Sequence, residues 1–328
     1  MSQALRIVRG LLLLFVVSLA LVGPRLADHF AVAQQPRPGS LQDDPLVAQL
    51  RLLQEKVQAV IERVKPAVVA IEIGPGQGSG VVVTKDGYVL TAGHVSGKPG
   101  RQVTVIFPDG KRIKGTTLGM NPSMDSGMVK LEGAGPWPYV EMGDTSQLQV
   151  GDWVVALGHP SGFRPGRPPV VRLGRVLRMS EQFLVTDCTL VGGDSGGPLF
   201  DLRGRVVGIH SRIGASLADN VHVPVNTYHE TWETLARGEV VIMPYLGVRG
   251  DEQAEQAKIL EVMPDSPAAK AGIQPNDIIL SFDGRKITNY RSLVEQLRRK
   301  RPGQVVSVEV LRNGEKLELK VKLAARPM

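Results

Sequence analysis

Apolar residues follow three different spacings along the chain. Over 11–22 they form a run broken at Ser18 alone. Over 45–64 they recur at steps of three and four, at Leu46, Leu50, Leu53, Val57, Val60, Ile61 and Val64, which is one face of an amphipathic α-helix. Asp44 followed by Pro45 supplies a capping carboxylate and a proline at the first helical position. From residue 67 onward, short Val- and Ile-rich runs alternate with Gly, Pro, Asn and Asp, the mark of strands joined by turns. Strands are predicted over 67–73, 81–84, 89–90, 102–107, 112–118 and 128–131. Gly76-Gln77-Gly78-Ser79-Gly80 predicts a turn of the chain, and Asp86-Gly87 sits at the centre of a hairpin turn.

The pattern changes again after a predicted helix over 225–237. A boundary falls between Gly238 and Pro244. Beyond it the chain predicts a strand at 259–262, a short helix within 265–272 capped by Asp265 or Ser266, and a helix over 290–299 with Leu293 and Leu297 on one face. Two strands, 305–312 and 316–323, flank an Asn313-Gly314 turn. The whole is therefore mainly β, with a small α+β module at the carboxyl end.

A length of 328 residues suits roughly two domains. Hydrophobic residues at 42% and charged residues at 22% allow a sizeable core and argue against wholesale disorder. The formal net charge of +7 raises nucleic acid as a partner. No basic run interleaves with aromatics and no nucleic-acid motif occurs, so the charge reads as a basic surface and no nucleic-acid partner is expected. The dense cluster Arg298-Arg299-Lys300-Arg301 ends a predicted helix, where cations suit the helix dipole. Cys188 is the single cysteine, which excludes an intramolecular disulfide and a four-cysteine zinc site. No metal or cofactor is expected.

The amino terminus pairs Arg6 and Arg9 with the apolar run and then Ala31-Val32-Ala33, the order of a secretory signal. The run is short for a spanning helix, so 1–33 reads as a cleaved signal, with a retained anchor and membrane tether as the alternative. Residues 34–44 read as a flexible leader. Either way the mature chain is expected in the periplasm or cell envelope.

The chemistry gathers around Val191-Gly192-Gly193-Asp194-Ser195-Gly196-Gly197-Pro198-Leu199. Glycines on both sides permit a tight turn that lifts the Ser195 hydroxyl clear. The same turn can aim the N–H groups of Gly193 and Ser195 at one point, as an oxyanion hole requires. A serine needs a base and a group to orient that base. His94, presented where a strand ends in small residues, is the candidate base, and Asp125, where a loop enters the apolar strand at 128–131, is the candidate orienting acid.

The Gly-Asp-Ser-Gly-Gly-Pro string resembles the nucleophile loop of chymotrypsin-like serine proteases, and the order His94, Asp125, Ser195 matches their triad. Gly78-Ser79-Gly80, Lys85-Asp86-Gly87-Tyr88, Met142-Gly143-Asp144-Thr145, 151–158 and Thr186-Asp187 resemble the HtrA (Deg) family of extracytoplasmic proteases, from about Pro45 to the carboxyl end. The resemblance implies two six-stranded barrels with the site between them over 45–240, followed by a PDZ domain over 244–328. It implies a trypsin-like serine endopeptidase acting on unfolded or damaged polypeptides, with Thr189 and Leu190 in the first specificity pocket. His210 falls either beside bound substrate or against the barrel wall. Tyr245-Leu246-Gly247-Val248 resembles the PDZ loop that captures a terminal carboxylate, so C-terminal peptides are expected partners.

There are departures. The family carries Asn-Pro-Gly-Asn before the serine where this chain has 191–194. A buried carboxylate at Asp194 needs a partner, and an arginine, backbone N–H groups or water are expected to supply it. His159 stands in place of the usual asparagine in Gly158-His159-Pro160. The family's trimers are held by aromatic residues near the amino terminus, and none occurs between Gln34 and Gly87, so a homotrimer stays open. The altered loop leaves one other reading, a proteolytically inactive, PDZ-led peptide binder or chaperone on the same fold.

Overall fold

The computed structural model describes residues 44–325 except Ala215, Leu217 and Glu252, so the signal and most of the leader lie outside the described residues. Helix α1 spans Pro45–Val64, and Asp44 Oδ1 accepts the Leu46 N–H at 2.8 Å, the expected cap. In its last turns Val57, Val60 and Val64 are buried, whereas Leu46 and Leu50 are exposed.

Two closed six-stranded barrels follow. The first contains β1 (Val68–Ile73), β2 (Gly76–Val82), β3 (Tyr88–Ala92), β4 (Gln102–Ile106), β5 (Arg112–Asn121) and β6 (Ser126–Leu131), with a one-turn helix α2 (Gly93–Ser96) between β3 and β4. The second contains β7 (Trp153–Gly158), β8 (Val170–Met179), β9 (Leu184–Thr186), β10 (Pro198–Phe200), β11 (Val206–Ile213) and β12 (Asn220–Pro224). Helix α3 (Val225–Ala236) leaves the second barrel, and its Tyr228 hydroxyl donates to Thr91 O of the first at 2.7 Å. Buried β-branched and aliphatic side chains pack both barrels, among them Val69, Ile71, Leu90, Val105 and Met128 in the first and Val154, Val176, Leu184 and Leu199 in the second. Each such side chain contributes about 1.5–3 kcal/mol when fully buried.

The glycine run in 76–80, expected to turn the chain, is instead paired strand, from Ile73↔Gly76 to Val69↔Gly80. The turn lies earlier, where Gly74 has φ +55°. These glycines serve close packing. A Cβ on Gly78 would come within 2.7 Å of Val95 and 3.0 Å of Ser195 O, and one on Gly80 within 2.8 Å of Val89. The strand can thus press directly against the nucleophile loop.

The carboxyl-terminal module contains β13 (Pro244–Tyr245), β14 (Val248–Gly250), β15 (Ile259–Val262), α4 (Pro267–Lys270), β16 (Ile278–Phe282), β17 (Arg285–Lys286), α5 (Tyr290–Arg298), β18 (Val305–Arg312), β19 (Glu315–Lys322) and β20 (Ala324–Ala325). Its core holds Leu246, Ile259, Ile279, Phe282, Leu293, Val308 and Val321. Ser266 caps α4, accepting from Ala269 N at 3.1 Å, and Asn289 caps α5 from Ser292 N at 2.9 Å. Asn313 and Gly314 both have positive φ, as a two-residue hairpin turn between β18 and β19 requires.

Candidate active site

His94 stands on α2, directly after β3, and its side chain is 51% exposed. Asp125 precedes β6 with φ +58°, a conformation that aspartate tolerates better than most residues. That bend returns its carboxylate to α2. His94 Nδ1 lies 3.0 Å from Asp125 Oδ2 and 3.1 Å from Oδ1, and the His94 backbone N–H donates to Oδ1 at 2.9 Å. Gly93 N donates to Asp125 O at 2.8 Å, which locks the two loops together. The hydrogen bond that the imidazole donates to Asp125 raises its pKa above the ordinary value, against the opposing effect of burial. Burial alone would push the Asp125 pKa up, but hydrogen bonds from His94 and Ser211 hold it below the usual carboxylate value.

Ser211 is the site residue that sequence reading missed. Its hydroxyl donates to Asp125 Oδ2, and its carbonyl oxygen accepts from Ser195 Oγ at 3.4 Å. One residue therefore joins the acid to the serine hydroxyl. It can do so because the β11–β12 register slips between His210 and Arg212, and the bulge re-aims the residue between them. A hydroxyl after a histidine was the only local signal, and a bulge leaves no trace in periodicity. In this structure the Ser195 hydroxyl is bonded to Ser211 O and not to His94.

The nucleophile loop is braced from both barrels. Ser79 N donates to Ser195 O at 2.8 Å, and Ser79 Oγ donates to Gly193 O at 2.8 Å while accepting the His159 N–H at 2.9 Å. Ser161 N donates to Gly192 O at 2.7 Å. Among the described residues, neither Gly193 N–H nor Ser195 N–H has a hydrogen-bond partner within the chain. Two idle backbone donors beside a serine hydroxyl are what a developing oxyanion would need. Gly196 has φ +86°, and a Cβ there would lie 2.2 Å from Ser79 O. Gly196→Ala is therefore expected to destabilise the protein by roughly 1–3 kcal/mol through backbone strain alone, which urea unfolding would read. An unchanged unfolding midpoint would show that the loop is not held in this shape.

Asp194 is fully buried and has found an arginine and a backbone N–H. Arg172 on β8 grips it at both ends, Nη1 to Oδ1 at 3.0 Å and Nη2 to Oδ2 at 2.8 Å, and Val191 N donates to Oδ2 at 3.0 Å.

Thr189 is exposed, Leu190 is buried, and the Leu190 N–H donates to Asn220 Oδ1 at 2.9 Å. His210, expected beside substrate or against the wall, is fully enclosed by the wall. Its Nε2 meets Leu157 O at 3.2 Å and its Nδ1 meets His222 Nδ1 at 2.9 Å. The reason is strand alternation, since His210 pairs with His222 across the β11–β12 ladder. Burial lowers the pKa of both rings, that of His222 to about 3. A separate cleft is lined by Met124, Phe183, Ser211, Arg212 and Val221. His159 is buried behind the nucleophile loop, and burial lowers its pKa to about 4. Burial lifts the Cys188 thiol to about 11, so it behaves as a small core side chain. Among the described residues no group of His, Cys, Asp or Glu side chains is placed to hold a metal ion.

In the carboxyl-terminal module, Gly247 has φ +84°, and the N–H groups of Leu246 and Gly247 have no partner among the described residues. Strands β14 and β15 form a two-stranded sheet, so one edge of β14 is open.

Comparison with known proteins agrees with this architecture. Residues 78–209 match the trypsin-like peptidase domain and residues 244–323 match the PDZ domain. A "Probable periplasmic serine endoprotease DegP-like" of Bartonella henselae is 33% identical over 270 residues, covering 76% of this chain and 53% of that protein. The protein of the same name from Hahella chejuensis is also 33% identical, with 76% and 57% covered. This chain thus spans about half the length of the curated relatives it matches. Among solved structures, the HtrA-type protease AlgW with tripeptide superposes with a TM-score of 0.71 at 28% identity, over 83% of this chain and 97% of that one. The serine endoprotease from Yersinia pestis gives a TM-score of 0.68 at 28% identity, over 82% and 98%. A trypsin-like double barrel, a histidine held by an aspartate beside a glycine-framed serine, and an appended PDZ module place this chain in the HtrA (Deg) family of trypsin-like serine proteases.

Proposed function

We propose that this chain is a periplasmic serine endopeptidase of unfolded or damaged polypeptides, in which Ser195 is the nucleophile, His94 the base and Asp125 its orienting acid. The observation that carries this reading is the line His94–Asp125–Ser211–Ser195, in which each neighbour is within hydrogen-bond reach. Turning the Ser195 side chain about Cα–Cβ, away from Ser211 O and toward the imidazole, completes the proton path. Apo sites commonly hold such bonds loosely and tighten them on substrate.

Ser195 Oγ then attacks the peptide carbonyl carbon while His94 Nε2 takes the hydroxyl proton. The N–H groups of Gly193 and Ser195 stabilise the oxyanion. Breaking the C–N bond sends the His94 proton to the departing amine and leaves an acyl-enzyme. Water, deprotonated by His94, attacks the ester and restores Ser195. Thr189 and Leu190, both uncharged, favour a small or medium apolar residue before the cut.

The PDZ module, through Tyr245, Leu246, Gly247 and Val248, captures polypeptide carboxyl termini and adds them to the open edge of β14. Solved relatives carrying a tripeptide or decapeptide support this, as do relatives named periplasmic for the location. Among the described residues no helix is long and apolar enough to cross a membrane.

The rotamer of Ser195 is the one observation that favours the inactive-binder reading. Incubation with unfolded casein separates the two. Wild-type chain is expected to cleave it and Ser195→Ala is not. Intact casein with the wild-type chain, alongside retained peptide binding, leaves only the binder.

A further inference from the structure

The open edge of β14 is not idle. Met263 N donates to Gly247 O at 2.9 Å, so the Gly247 carbonyl faces β15. Val248 and Val262 are then a non-hydrogen-bonded pair, and the Val248 carbonyl must point to the opposite edge. At that edge the Tyr290 hydroxyl, from the first residue of α5, donates to Val248 O at 2.9 Å. The contact is built into the backbone, because the Tyr290 ring packs against Gly250. A Cβ on Gly250 would fall 2.3 Å from Tyr290 Cδ2. Only glycine leaves room for the ring.

A peptide that enters as an added strand offers its own N–H groups to the outward carbonyls of β14. Val248 directly follows the Leu246 and Gly247 amides assigned to the terminal carboxylate, so its carbonyl is the first acceptor such a strand meets. We infer that Tyr290 is an internal competitor for the peptide: a hydroxyl latch that occupies the first backbone acceptor of the groove and must swing away before a carboxyl terminus can dock. The inference rests on the peptide-capturing role given to this module. It makes Tyr290 a determinant of peptide affinity, since each peptide must displace one internal hydrogen bond before gaining its own.

Tyr290→Phe removes the hydroxyl and keeps the ring over Gly250. Full-length chain carrying Ser195→Ala, to prevent cleavage, would be prepared with and without Tyr290→Phe. Both forms would be screened by fluorescence anisotropy against fluorescein-labelled decapeptides. These peptides carry a randomised last three residues and a free carboxylate, with the amidated set as control. Tyr290→Phe is expected to bind the selected free-carboxylate peptide about 3- to 10-fold more tightly, the usual worth of one neutral hydrogen bond. Binding by Tyr290→Phe alone would also support the latch. Equal or weaker binding by Tyr290→Phe, with the Tyr290 form binding normally, overturns the latch and leaves the peptide groove standing. No carboxylate-dependent binding by either form overturns the groove reading, and the latch with it.

Discussion

Replacing Arg172 by methionine is expected to destabilise the protein by about 3–5 kcal/mol, because it strands a charge in the interior. Asp194 is fully buried, and both of its oxygens are held by the Arg172 guanidinium. The Arg172 side chain is itself only 17% exposed, so solvent cannot replace it cheaply. The damage should not be confined to stability. Asp194 sits between Gly193 and Ser195, and Gly197 N donates to its carbonyl at 2.8 Å. A carboxylate seeking water would drag the idle N–H donors with it. Arg172→Met should therefore lower kcat on an unfolded substrate more than it raises KM. The double variant Arg172→Met, Asp194→Asn restores neutrality and is expected to recover most of the lost stability, since removing both charges avoids the stranded one. Urea unfolding of the two single variants and the double variant gives the coupling. A single Arg172→Met variant within about 1 kcal/mol of wild type would show that the pair is ornamental.

Asp125→Asn is expected to cut kcat/KM by roughly 10⁴-fold at neutral pH. Asp125 fixes the imidazole with Nδ1 as donor, leaving Nε2 free to take the serine proton. An amide cannot enforce that tautomer. The pH profile supplies a second reading. Asp125 raises the His94 pKa above 6.5, so in wild type the base is lost to protonation as pH falls through a value above 6.5. The acid limb of kcat/KM should therefore lie above that value. In Asp125→Asn the limb should move to lower pH, because the imidazolium loses its stabilising neighbour. Initial rates across about pH 5–9 on a fluorogenic peptide test both points. A limb that stays in place would mean that Asp125 does not govern His94.

Much of this is legible in the residues alone. His94, Asp125 and Ser195, the proposed base, acid and nucleophile, each stand where local chemistry is plain: a small-residue bend, a loop entering a strand, and a glycine-framed hydroxyl. What stays hidden depends on register or on contacts distant in sequence. Ser211 reaches Asp125 only because one ladder slips by a residue. Arg172 meets Asp194 across 22 positions, and nothing in its own strand marks it among the arginines nearby. The run in 76–80 reads as a turn because glycine signals turns in isolation, whereas here its missing side chains admit a neighbouring loop. His210 is ambiguous for a related reason, since the face of a strand residue follows from pairing and not from identity.

Ser79 belongs to the first barrel, and its amide and hydroxyl both end on the second, at Ser195 O and Gly193 O. The reactive machinery is thus owned by neither half. A breathing motion that parts the halves would unpick it while each ladder of strands is still intact. On warming, turnover should vanish ahead of secondary structure, and a chain cut between the halves would regain chemistry only as fast as the two pieces find each other.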